Sequence, residues 1–140
     1  MMVDDQKVTE KLRIIRENLD KLSLFKDVPV HLFVSNFKEY DSAKYNLQTT
    51  IKAMLDICNH IIARNAYEVP KTNADAFRLL CRKKILSPDM EVPYTAMARF
   101  RNRVVHLYDQ VDSREILRMI NENLGDFERF LEDIKRVMHL

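Results

Sequence analysis

A single glycine, Gly125, serves the whole of this 140-residue chain, and only four prolines accompany it. A fold of many strands needs a turn about every ten residues, and turns draw heavily on glycine and proline. So little punctuation argues against a β fold. Leu, Ile, Met, Lys, Arg, Glu and Ala dominate instead, and these residues favour helices. The length suits one domain spanning residues 1–140, large enough to bury a core without disulfides or metal. The expected architecture is all-α: a four- to five-helix up-and-down bundle with short connections.

Apolar periodicity places the helices. Val8, Leu12, Ile15, Leu19 and Leu22 recur at helical spacing and predict a first helix over 3–22. A second is expected over 30–40, with Leu32, Phe33, Phe37 and Tyr40 on it and a cap or kink at Asp41-Ser42. The longest pattern runs over 43–66, where Leu47, Ile51, Met54, Cys58 and Ile61 form a stripe that Leu55 and Ile62 widen. A helix apolar on so broad a face touches neighbours on two sides, which predicts the centre of the bundle. Thr72 with Asp75 three residues on resembles a capping box and opens a helix over 73–84. Ser87-Pro88-Asp89 is a further cap signal, and a helix is expected from Pro93 to Tyr108. A break at 110–113, capped by Asp112 or Ser113, precedes the last helix over 114–137. Gly125 falls inside that helix, where a close helix contact would explain it.

Composition narrows the function classes only slightly. The formal net charge is +2, so any nucleic-acid surface must be a local patch. No apolar run approaches the roughly 18 residues of a membrane span, and no secretory leader is visible, which points to a cytoplasmic protein without membrane contact. Cys58 and Cys81 lie in apolar helical context and read as packed free thiols. Cys58 and His60 have no second ligand pair at suitable spacing, so no metal or other cofactor is expected. Asp56 and His60, at i and i+4, could form a polar pair bracing the central helix.

Reactive side chains crowd one ordered segment, Arg101-Asn102-Arg103-Val104-Val105-His106-Leu107-Tyr108. Arginine offers a permanent planar charge suited to phosphate oxygens. Histidine exchanges protons near neutral pH. Together they suffice to cleave RNA without metal: the imidazole takes the ribose 2′-OH proton, the oxygen attacks its own 3′-phosphate, and the guanidinium stabilises the developing charge. On a straight helix, however, Arg101 and His106 lie about 140° apart, whereas Asn102 lies about 40° from His106 and Tyr108 nearly coincides with Arg101. Arg101 and His106 meet only if the helix distorts or ends, if the arginine wraps round, or if a second copy contributes across a two-fold axis. On chemistry alone such a pair is more often a solvated face or a helix-end dipole partner.

The pattern Arg-Asn-x-x-x-His-x-Tyr resembles the signature of the HepT-like toxins of the HEPN superfamily. The segments Leu55-Asp56-Ile57-Cys58-Asn59-His60-Ile61-Ile62 and Pro70…Ala76-Phe77-Arg78-Leu79-Leu80 are similar to that family in the same order. The resemblance implies a homodimeric, metal-independent endoribonuclease toxin of a type VII toxin–antitoxin module. It makes Arg101 and His106 catalytic and Asn102 supporting. It makes Tyr108 the residue to which a cognate MntA-type nucleotidyltransferase antitoxin adds AMP. Arg103 and Arg99 are candidate RNA contacts, and Arg82-Lys83-Lys84 is the other basic cluster. Two alternatives stand beside this reading. One is a non-catalytic helical partner of a nucleotidyltransferase that binds nucleotide or RNA. The other is a plain dimerisation module.

Overall fold

The computed structural model describes residues 3–107 and 110–138. Among them are six α-helices and no strand: α1 (Asp5–Ser23), α2 (Val30–Val34), α3 (Phe37–Arg64), α4 (Asn73–Arg82), α5 (Glu91–His106) and α6 (Ser113–Val137). A one-turn 3-10 segment, Pro88–Met90, precedes α5. α3 is the hub and packs against all five other helices, as its broad apolar face requires. α1 and α6 lie on one side of it, and α4 and α5 pair on another.

Side-chain caps set most helix starts by satisfying backbone N–H groups that have no intrahelical acceptor. Asp4 accepts from Lys7 N, Thr72 from Asp75 N and Asp112 from Arg114 N. The boundary between α2 and α3 departs from the expected one. The break falls at Ser35-Asn36, and Asp41-Ser42 lies inside α3. Asn36 Oδ1 accepts from Lys38 N (3.1 Å) and Glu39 N (3.3 Å), while Ser35 Oγ donates back to His31 O (2.9 Å) and closes α2. The apolar residues counted as one stripe therefore divide. Phe33 is fully buried, whereas Leu32 (53% exposed) and Phe37 (60% exposed) face solvent. Pro93 sits in the first turn of α5, where its missing N–H costs nothing, so that helix begins two residues earlier than expected and ends at His106.

Three left-handed residues shape connections: Asp27 (φ 64°), Ala66 (φ 54°) and Lys84 (φ 61°). Ala66 and Lys84 sit in Schellman-type ends, where Tyr67 N donates to Ile62 O and Ile85 N to Leu80 O, each at 3.0 Å. The one glycine is at none of these positions. Gly125 lies in the interior of α6, and a Cβ placed on it would meet nothing within 4 Å. The expected close helix contact is absent there.

The core is continuous along α3, α5 and α6. Phe77, Tyr94 and Phe130 meet in a ring cluster, with centroids 5.7 to 6.2 Å apart. Beside it lies a buried carboxylate, Asp133, only 1% exposed. It accepts from Ser87 N (2.9 Å), Ser87 Oγ (2.6 Å), Tyr94 Oη (2.8 Å) and Arg136 Nη1 (3.3 Å). Burial and that carboxylate both push the Tyr94 phenol far above its ordinary range. The network ties the segment before α5, and α5 itself, to α6.

Cys58 and Cys81 are buried and free, and burial pushes the Cys81 thiol up to about 12. Asp56 and His60 do not pair with each other. Asp56 accepts from Lys11 (2.9 Å) and Lys52 (3.0 Å), and His60 Nε2 accepts the backbone N–H of Asp4 (2.9 Å). Both residues brace α1 against α3, which periodicity within α3 alone could not reveal. No described helix is long and apolar enough to cross a membrane. Among the described residues, no three His, Cys, Asp or Glu side chains gather as a metal site would require.

Candidate active site

The site candidates occupy the last turns of α5. Its buried face carries Tyr94, Met97, Ala98 and Val104. Arg101 falls between Ala98 and Val104 on that same face, at a position where an apolar residue would continue the stripe. Its side chain is half-buried, and its Nε is enclosed without a hydrogen-bond partner among the described residues. A guanidinium whose stem is held in the core has little freedom, which suits it to fixing one anion.

His106 is exposed and is the final residue of α5. The helix remains regular up to it. Leu107 N then donates to Arg103 O (2.7 Å), and Leu107 itself leaves the helical conformation (φ -134°, ψ 47°), so the helix ends at the imidazole. The helix runs unbroken from Arg101 to His106 and terminates just beyond it. Val105 and Leu107, both about half exposed, flank the histidine with apolar surface. Tyr108 lies outside the described residues.

Asn102 is half-buried and engaged. Its Oδ1 accepts from Asn73 Nδ2 (3.1 Å), which links the end of α5 to the first residue of α4. Asn73 was not legible as a site neighbour, although the Thr72–Asp75 capping pair did fix it as the start of a helix.

Arg103, considered as an RNA contact, has both terminal nitrogens on Glu115: Nη1–Oε1 at 2.7 Å and Nη2–Oε2 at 2.8 Å. That bidentate pair clamps the end of α5 to the first turn of α6. Arg99 is exposed at a groove of about 400 Å³ between α5 and α6, lined by Val92, Ala96, Phe100 and Met119 among others. The cluster Arg82-Lys83-Lys84 is divided. Arg82 approaches Glu91 at 3.7 Å, and Lys83 Nζ lies 4.3 Å from the ring centre of Tyr67.

Comparison with known proteins bears on this constellation. Residues 12–134 match the family model described as ribonuclease HepT-like. The chain is 30% identical over 103 residues to the mRNA nuclease HepT of Shewanella oneidensis, covering 74% of this chain and 77% of that protein. It is 27% identical over 127 residues to the tRNA nuclease HepT of Aphanizomenon flos-aquae, covering 91% and 86%. Among solved structures it is similar to the tri-AMPylated Shewanella oneidensis HEPN toxin in complex with its MNT antitoxin. That match has 26% identity and a TM-score of 0.84, covering 96% of this chain and 99% of that one. A toxin–antitoxin structure with AMP-PNP shares the fold at TM-score 0.85 and 24% identity, covering 94% and 98%.

Proposed function

The chain belongs to the ribonuclease HepT-like family, and from that premise we propose that it is a metal-independent endoribonuclease toxin acting as a homodimer. One observation carries the reading: a core-held arginine, an anchored asparagine and a solvent-facing histidine share the last turns of α5, where the helix stops. His106 takes the 2′-OH proton of a ribose, and the freed oxygen attacks the adjacent phosphorus. The 2′-oxygen–phosphorus bond forms, the bond to the 5′-oxygen breaks, and that oxygen leaves with a proton. Arg101 stabilises the charge on the non-bridging oxygens. Because Arg101 and His106 point about 140° apart on one regular helix, a second copy brings the missing half of the groove. Its histidine is then placed to protonate the leaving oxygen.

Regulation follows from the chain beyond the histidine. Tyr108, two residues on, is the proposed acceptor of AMP from an MntA-type nucleotidyltransferase. The reaction joins its phenolic oxygen to the α-phosphorus of ATP and releases pyrophosphate. The added phosphodiester brings negative charge and bulk to the groove edge, where it competes with RNA for Arg101. A structurally similar toxin is tri-AMPylated in its complex with an MNT antitoxin, which supports AMP as the group added.

The test is cleavage of total RNA in EDTA by the wild type, Arg101→Ala and His106→Ala. Loss of cleavage in both variants, with unchanged melting temperatures, is the expected outcome. Cleavage that survives both substitutions refutes the assignment, and tight RNA binding without cleavage by the wild type favours a non-catalytic partner subunit.

A further inference from the structure

The hydrogen bond between Asn73 and Asn102 has a direction, and the direction matters for a substrate made of phosphates. A carboxamide has an accepting oxygen on one side and an N–H₂ with two donors on the other. The terminal torsion of asparagine is roughly two-fold, so an unrestrained amide presents either edge. Here Asn73 Nδ2 donates to Asn102 Oδ1 at 3.1 Å. The oxygen edge of Asn102 is thereby held on α4, and its N–H₂ edge faces the other way. Asn102 is next to Arg101 in the chain and about 40° round the helix from His106. The non-bridging oxygens of a phosphodiester only accept hydrogen bonds. An amide offering N–H₂ attracts them, and the same amide turned over repels them.

The backbone of Asn73 is itself well fixed. Thr72 caps α4 and accepts from Asp75 N at 3.1 Å, which places Asn73 as the first helical residue. The next turn of α4 buries Ala74, Ala76 and Phe77, and α4 packs directly on α5. Neither Asn73 nor Asn102 depends on an exposed flexible stem.

We propose that Asn73 is a positioning residue for RNA cleavage, setting the amide of Asn102 so that its two N–H donors face the scissile phosphate. The inference rests on the ribonuclease reading above. It assigns a residue outside the Arg101–Tyr108 segment to the reaction, acting through Asn102 and not on substrate.

Three variants test it: Asn73→Ala, Asn73→Asp and Asn102→Asp. Asn73→Ala frees the amide to turn and should lower kcat/KM about threefold to tenfold, the value of one hydrogen bond. Asn73→Asp can only accept, so it draws the N–H₂ of Asn102 toward itself and turns the oxygen to the groove. It should lose more activity than Asn73→Ala, also at high salt, where the added charge is screened. A carboxylate at the first position of a helix is favourable, so Asn73→Asp should melt no lower than Asn73→Ala. Stability and activity then move in opposite directions, which a purely structural role does not produce. Asn102→Asp keeps the acceptor for Asn73 but lacks the donors, so it should fold normally and cleave poorly.

A second measurement does not depend on turnover. In a ¹⁵N–¹H spectrum, the side-chain N–H₂ of Asn102, identified by its loss in Asn102→Asp, should shift on adding fully 2′-O-methylated RNA, while that of Asn73 should not. Asn73→Asp as active as wild type, or a shift confined to Asn73, overturns the proposal. Arg101→Ala and His106→Ala are assayed in parallel. If they cleave normally the ribonuclease reading itself fails, whereas their inactivity beside fully active Asn73 variants defeats only the present inference.

Discussion

Asp133→Ala is the substitution with the most calculable cost. The carboxylate is buried and receives four donors. Its removal strands the fully buried Tyr94 hydroxyl and the Ser87 N–H, which has no other described partner. Each stranded group costs about 1–3 kcal/mol, and the vacated volume adds a smaller cavity penalty. The total is about 3–5 kcal/mol. With an unfolding entropy of about 2.1 cal/mol/K per residue, the 140-residue chain should lose roughly 10–17 °C in Tm. Tyr94→Phe removes one charge-assisted bond and leaves the carboxylate three donors, so it should cost only about 1.5–3 kcal/mol. The double variant decides the mechanism. Once the hydroxyl is gone there is nothing to strand, and the combined loss should fall short of the sum by about 1–3 kcal/mol. Urea melts followed by circular dichroism, with equal slopes across the set, give the four free energies. Additivity of the two substitutions, or a loss below about 1 kcal/mol for Asp133→Ala, would show that the network does not hold α5 to α6 as described.

Three further outcomes are expected. Gly125→Ala should raise stability by about 0.5–1 kcal/mol, since an added Cβ meets nothing within 4 Å; a melting temperature that falls would contradict the open surface. His60 is held below its ordinary pKa by burial and by Lys7 and Arg64, and its neutral Nε2 accepts from Asp4. The unfolded chain therefore binds the proton first as pH drops below about 6.5. The contribution is complete above that value and declines toward the lower folded pKa, so His60→Gln should flatten the Tm profile between pH 7 and 5. For RNA binding, Arg99→Ala should reduce the salt slope by about 0.7, the value for one contact to a single strand. Arg103→Ala should change it less, because Glu115 already engages both terminal nitrogens; anisotropy titrations with 2′-O-methylated RNA across several salt concentrations separate the two.

How far the sequence could be read depended on whether each feature was local. α4, α6 and the body of α3 were legible because apolar period, and for α4 and α6 the caps, lie within a few residues of each other. The division between α2 and α3 was not, because Asn36 and Asp41-Ser42 are both acceptable caps and the apolar pattern continues across them. Only the burial of Phe33 and the exposure of Phe37 distinguish the two positions. At the site, the identities of Arg101, Asn102 and His106 came from a short motif, and so did the conflict in their directions around the helix. The partners of those residues did not. Asn73 reaches Asn102 across 29 residues, and Glu115 reaches Arg103 across 12. Such pairs follow from how α4 and α6 dock on α5, which no local pattern records. Asp133 left a faint signal as an acid between Leu131 and Ile134 on a buried stripe. Asp56 and His60 were read as partners because they share a helix, yet each answers to α1.

The left-handed residues at Asp27, Ala66 and Lys84 have a consequence for how such a chain can change over time. A left-handed residue other than glycine costs about 1–2 kcal/mol, and at Ala66 and Lys84 the hydrogen bonds that close the preceding helices offset it. Two of these turns are set by the helix ends that precede them and are not spelled out in the turn residues themselves. Mutation to glycine at Ala66 or Lys84 would gain stability, so the molecule holds a reserve against damaging substitutions elsewhere.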